Sequence, residues 1–530
     1  MQRVVIISLK CFLCLLLLAN AVFVFSQPKK GAKSILNFKT EILLLRNKKN
    51  TATNFTYTDE GALAQGLHRS GKTKILYLPE GVYTLKKNIP LFSSGLHIKG
   101  AGIGKTVIRY DSELQSNSAL FQSDGASDLT IEGITFTGNE KEIKAVLEFN
   151  SYPDKCKNIS ILNCEFKNLW TDQAINFGGT TMGQTHSNDN VLIDHCRFLN
   201  IYNPSYRIIT NDTDPKCVGI NLQQTTLRAA IQYCSFQNIS GDGIFGWGWS
   251  QDNRKINFNY GNWNIHHNNF SYCWMCVEVN GNGLGSGLNI HDNTMKYSTR
   301  NYGYLISVDS YKARIIKNKL YNVDRGLIEY TAIEGLIANN AGTIVTWKKN
   351  AGGVRSSESI LRIACLELYG YNNTIAHNHF ILDRTKPDVF SPSEFNGIKL
   401  IGKTTDTASQ PLEYKGVKDY SAYWTITENT VTGFTHKLID ATNYKIRNVV
   451  IKKNVFQSRF EETTPIEIYG YNWQILNNTF DLTGSKNKSS YRIVSVFYLQ
   501  KEKTGSIAVS NKIKGDGWDV ADKYAVDNNN

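Results

Sequence analysis

NWNIHHNNF (262–270) and GLNIHDNTM (287–295) share one pattern: an aliphatic centre, an asparagine three residues on, and an apolar residue two beyond that. The pattern returns in NISILNCEF (158–166), NVLIDHCRF (190–198) and RAAIQYCSF (228–236), where cysteine replaces the asparagine. It returns again in NNTIAHNHF (372–380), YWTITENTV (423–431), NVVIKKNVF (448–456) and NWQILNNTF (472–480). Ile265, Ile290 and Ile315 stand 25 residues apart, and Ile426, Ile451 and Ile475 stand 25 and 24 apart. Wider spacings elsewhere read as insertions. Short alternating strands with a turn residue at a fixed offset predict an all-β solenoid of stacked coils. One coil cannot bury its apolar face. Stacking at ~4.8 Å gives a continuous core and pairs the backbone from coil to coil.

The repeat sorts the polar residues into columns. Asn268, Asn293, Asn318, Asn340, Asn378, Asn429, Asn454 and Asn478 fall at one turn position, where stacked amides can bond along the column. Cys164, Cys196 and Cys234 continue that column and read as buried thiols. Eight cysteines lie beyond residue 26, and Cys273–Cys276 and Cys156–Cys217 are candidate disulfides. His195, His267 and His377 share the position before the ladder, with His266, His291 and His379 nearby, and read as scaffold.

The region TDEGALAQGLHRSGKTKILYLPEGVYTLKKNIPLFSSGLHIKGAGIGKTVI (58–108) resembles the N-terminal cap and first coils of the pectate-lyase-like right-handed parallel β-helix superfamily. The resemblance implies a single-stranded right-handed parallel β-helix. It leaves function open, because the superfamily includes lyases, hydrolases, epimerases and phage tailspikes. The expected organisation is a signal peptide at 1–26, a cap and first strands at 27–90, the β-helix at 91–515 and a tail at 516–530.

A second strand follows each repeat: AINFG (174–178), GINLQ (219–223), GIFGW (243–247), VEVN (277–280), LISVD (305–309) and LIEYT (327–331). Strand alternation turns Val277 and Val279 inward and leaves two outward columns. One is Asn176, Asn221, Phe245, Glu278, Ser307 and Glu329; the other is Gly178, Gln223, Trp247, Asn280, Asp309 and Thr331. Family resemblance implies that polysaccharide binds on this face. Glu278 and Asp309 are expected roughly 8 Å apart, within the ~6.5–9.5 Å of an inverting glycosidase pair rather than the ~5–5.5 Å of a retaining one. Glu278, beside valines and Trp274, is the expected general acid, with Asp309 as base and Glu329 as its substitute.

Inserted segments LNIYNPSYRIITNDTDPKCV (199–218) and GWSQDNRKINFNYG (248–261) flank these rungs. Substrate contacts are expected from Asn221, Gln223, Trp247, Trp249, Asn280, Arg207, Lys216, Arg228 and Arg325. Aromatics stack on sugar rings, and guanidinium grips sulfate or carboxylate. VEVN also resembles the Glu-x-Asp strand of iota-carrageenases, with Glu278 kept and Asn280 in place of the Asp. The pectate- and alginate-lyase branch implies an alternative: calcium held by Glu278, Asp309 and Glu329, with Arg300 or Arg325 as base. The central outward columns show no Lys or Arg, which speaks against that alternative. A non-catalytic carbohydrate-binding β-helix is the third reading.

MQRVVIISLKCFLCLLLLANAVFVFSQ (1–27) has a basic start, an apolar run and small residues at Val24 and Ser26, so it reads as a secretory leader, with a membrane anchor as its competitor. The formal charge of +13 falls by only two if Arg3 and Lys10 leave with it. A secreted protein this basic suggests an acidic polysaccharide partner. No Lys/Arg block or motif points to nucleic acid. The expected protein is a secreted, monomeric glycoside hydrolase of a sulfated or uronate-containing glycan such as carrageenan, needing no cofactor unless it is a calcium-dependent lyase.

Overall fold

The computed structural model describes residues 42–44 and residues 74–515 apart from 92–93, 111–116, 139, 152–154, 179–187, 204–216, 224–225, 249–261, 282–286, 300–303, 324–325, 347–361, 385–393, 402–412, 415–416, 419–420, 434–436, 460–462, 464, 484, 486–493 and 497–505. Arg207, Lys216, Trp249, Arg300 and Arg325 lie outside the described residues, as do the expected leader, cap helix and C-terminal tail. So does most of both inserted segments.

Strands of this chain pair in parallel, coil on coil, into a right-handed parallel β-helix. One antiparallel pairing, Glu413–Tyr414 with Val417–Lys418, stands apart. A typical coil has three strands: Asn262–His266, Asn269–Cys273 and Val277–Gly281. The next coil repeats them as Asn289–His291, Thr294–Lys296 and Ile306–Tyr311. Three parallel sheets result. No described helix is long and apolar enough to cross a membrane.

Register keeps like residues in line. Ile265 pairs with Ile290, Ile290 with Ile315, and Ile315 with Ile337, all fully buried. The apolar residue after the ladder forms a second inner column: Phe166, Phe198, Phe236 and Phe270 stack at centroid spacings of 5.0, 4.7 and 4.6 Å. Those spacings follow the rise from coil to coil.

Between the first two sheets runs the asparagine ladder, extended by Asn511. From Asn268 to Asn511 each Nδ2 donates to the next Oδ1 at 2.9–3.0 Å. Each asparagine amide N–H donates to that same oxygen. The second Nδ2 proton goes to a carbonyl of the coil before, as from Asn293 to Ile265 at 2.8 Å. Both donors and both lone pairs of an interior amide are thereby used. The residue before each rung sits at positive φ, for example His267 at 56°, Asp292 at 54° and His377 at 55°.

Cys234 continues the ladder as a donor: its backbone N–H donates to Asn268 Oδ1 at 2.9 Å. The eight described cysteines are all buried free thiols, so the candidate pairs Cys273–Cys276 and Cys156–Cys217 are corrected. Cys156 instead donates to the Asn150 carbonyl at 3.3 Å, and burial raises the Cys273 and Cys276 thiols above their ordinary range.

Candidate functional site

The third sheet carries a column that the strand register traces as Gln122, Glu148, Asn176, Asn221, Phe245, Glu278, Ser307, Glu329, Glu367, Lys399, Asp440 and Glu467. Val277 and Val279 point into the core, so Glu278 points outward as alternation requires. Outward is not exposed, however. Glu278 is only 3% accessible, and Asn176, Asn221 and Ser307 in the same column are also buried. The expectation of a solvent-facing Glu278 is therefore corrected: the outer face is covered at these rungs.

Asn221 is likewise no open substrate contact. Its Nδ2 donates to Asn176 Oδ1 at 3.0 Å, and Asn176 donates to Glu148 at 3.2 Å. Arg228 starts a strand of the first sheet, away from the acids. Its guanidinium is spent on Asp189, with Nε and Nη2 donating at 2.7 and 2.8 Å. Gln223, Trp247 and Asn280 lie on third-sheet strands in the expected register, with Gln223 opposite Trp247 and Trp247 opposite Asn280. Their side chains lie outside what is described.

Asp309 stands half-buried on the neighbouring column, opposite Thr331. Burial pushes its carboxyl up to about 7; a Thr331 hydrogen bond opposes this, and the charges of Glu329 and Glu278 add to it. A carboxyl raised to this range can serve as general base or general acid, so the value leaves the expected base role of Asp309 open to either direction of proton transfer. Glu329 accepts from Ser307 Oγ at 3.1 Å.

One rung further the column changes character. Glu367 Oε2 accepts from Tyr304 at 2.8 Å and from Lys399 Nζ at 3.0 Å. Tyr304 is pushed well above its ordinary pKa by burial and by the charges of Glu367 and Glu329, so it stays a proton donor. Beyond it, Lys437 bridges Asp440 at 3.5 Å and Glu467 at 2.6 Å. The central rungs from Asn176 to Glu329 carry no Lys or Arg, but the same column continues beyond them through Glu367 to Lys399. The signals were the alternations ACLELYGY (364–371) and NGIKLIG (396–402), which continue the strand motif past Thr331 across long insertions.

Calcium favours several carboxylate oxygens gathered around one point. Among the described residues, the one group of three acidic, histidine or cysteine side chains with ligand atoms mutually within 4.8 Å is His267, His291 and Asp292. Glu278, Asp309 and Glu329 are not gathered in this way. As arranged, they do not fit a preformed calcium site.

These features define a parallel β-helix protein with a charged column along one outer face. No protein-family profile and no curated protein matches the chain. Among solved structures it is similar to a mannuronic acid specific polysaccharide family 6 lyase from human gut microbiota, at 17% identity over 88% of this chain and 91% of that one, with a TM-score of 0.46. It is also similar to the N-terminal fragment of bacteriophage phi29 gene product 12, at 14% identity over 84% and 68%, TM-score 0.45. A third is the Streptococcus pneumoniae surface protein and adhesin PfbA, at 14% identity over 83% and 94%, TM-score 0.37. At such identities the likeness is one of fold. The finer likeness to iota-carrageenases, which rested on Glu278, has no geometric support once that side chain is covered.

Proposed function

We propose that this protein is a secreted polysaccharide-degrading enzyme that cleaves a uronate-containing glycan by β-elimination. The observation that carries this reading is the convergence of Tyr304 and Lys399 on one oxygen of Glu367. Elimination needs three things: a charge to offset the substrate carboxylate, a base for the proton beside it, and an acid for the leaving oxygen. Lys399, Glu367 and Tyr304 supply these in that order. Glu367 takes the ring proton α to the carboxylate, and the electron pair forms the new C=C bond. The glycosidic C–O bond breaks, and its oxygen takes the Tyr304 proton. The Glu367–Tyr304 hydrogen bond then returns the proton to the phenol. No water is consumed. The basic chain and its leader-like start support an extracellular acidic glycan as substrate.

Inverting hydrolysis is the second reading, and Asp309, titrating at about 7 beside Glu329, favours it. The full chain is to be incubated with alginate, polygalacturonate and carrageenan, with and without chelator. Ultraviolet absorbance from the new double bond and reducing ends are expected to rise together on a uronate glycan, chelator or not. Reducing ends without absorbance select hydrolysis. Sugar retention with neither product selects a binding protein.

A further inference from the structure

At the corner between the first and second sheets, away from the acid column, two coils lay down a two-by-two tile. His266 pairs in register with His291, and the next turn positions are His267 and Asp292. We propose that this tile is a binding site for a borderline divalent metal such as zinc, ligated by His267, His291 and Asp292, with His266 beside them. Ligand atoms of the three named residues already lie within 4.8 Å of one another. Two imidazoles and a carboxylate form a set that zinc takes in sites with an open fourth position.

The hydrogen bonding gives an independent reason. Asn264 Oδ1 accepts from Asn289 Nδ2 at 3.1 Å and contacts His291 Nε2 at 2.9 Å. An acceptor there places the His291 proton on Nε2, which leaves the Nδ1 lone pair facing outward. That Nδ1 is 2.7 Å from Asp292 Oδ2. Two lone-pair atoms this close require a shared proton or a cation. His266 Nδ1 and His267 Nδ1 lie 2.8 Å apart, a contact that one ring satisfies by donating from its Nδ1–H to the other. Asn264 thus acts as the outer partner that orients a ligating imidazole.

The rings are held in place. His266 and His291 stack at 4.8 Å, and the Tyr233 ring lies 5.0 Å from that of His267. Asp292 and His267 are open to solvent, so a metal ion has direct access. Lys317, next along the turn column, is the one cation of that column adjoining Asp292 that the site must tolerate.

Zinc is to be titrated calorimetrically into the full chain, in two buffers of different ionisation enthalpy. One equivalent should bind, with proton release as the shared proton leaves, and the thermal midpoint should rise. His267→Asn, whose residue type accepts positive φ, and Asp292→Asn should each weaken binding at least about tenfold. His377→Asn, a remote histidine at the same turn position, should leave it unchanged. Metal-free midpoints of the variants report their folding. The proposal is overturned by no binding, by equal binding in His267→Asn and wild type, or by equal weakening in His377→Asn, which would mark adventitious surface histidine binding.

Discussion

The asparagine ladder and the acid column are made by one operation, the stacking of a residue on its counterpart a coil away. Their outcomes are opposite. An amide is both donor and acceptor, so a stack of amides closes on itself: Asn340 receives from Asn318 and gives to Asn378, and nothing is left over. A carboxylate only accepts, so a stack of carboxylates must recruit something at every rung. Glu148 takes Lys144 and Asn176, Glu329 takes Ser307, Glu367 takes Tyr304 and Lys399, and Asp440 and Glu467 share Lys437. Asp309, with Thr331 as its hydrogen-bond partner, meets burial and like charge by moving its pKa. The same repeat therefore yields stability where the side chain is self-complementary, and chemistry where it is not.

The largest expected effect tests the chemical half of that contrast. Glu367→Gln keeps the shape but removes the base, and turnover on a uronate glycan should fall about 10²–10⁴-fold. Lys399→Met should fall comparably, with Lys399→Arg restoring part of the rate by conserving the charge. Unchanged double-bond formation in Glu367→Gln would remove the proposed centre.

The ladder is next. Asn378→Ala orphans the Asn340 amide and the Ile337 carbonyl, both otherwise bonded to Asn378. Unfolding free energy should drop by about 2–4 kcal/mol in denaturant titration. A loss of a few tenths would mean that the amide stack is ornamental.

Asp309 gives a signed pH dependence. Its carboxyl rises from an ordinary 3.8 to about 7 on folding, so ionisation is disfavoured in the folded chain. Its contribution is fully present below the ordinary value and is lost as pH climbs through about 7. The thermal midpoint of Asp309→Asn minus that of wild type should therefore grow across that window and level off above it. A flat difference contradicts the assignment.

Smaller effects separate the alternatives. Glu278→Gln should change β-elimination by less than about tenfold, since the covered side chain lies outside the Tyr304–Glu367–Lys399 cluster; a total loss would restore Glu278 to the centre. Cys234→Asn extends the amide stack by one rung and should shift unfolding free energy by within about 1 kcal/mol, measured as for Asn378.

Residues 262–295 already contained most of the architecture. Period, inward isoleucines and the ladder follow from local spacing, because a solenoid makes each contact a neighbour-coil contact. The outward column from Asn176 to Glu329 was legible for the same reason. Its continuation was not: insertions before Arg362 and Glu394 hid the period, so Glu367 and Lys399 went unread. Tyr304 precedes its strand and reaches Glu367 across two coils, a contact that strand alternation does not encode.

By itself the sequence determined a solenoid of stacked β-coils, its ladder and the side of the sheet each strand residue faces, since these depend on alternation and period alone; the right hand of the coil was implied only by the family resemblance. Only the tertiary structure decided which outward groups are covered. It shows Glu278 shut in, Asp309 pushed to about 7 and Lys399 set against Glu367. Burial and charge pairing depend on what lies over a face and on residues several coils away, and neither is written in the spacing of one strand.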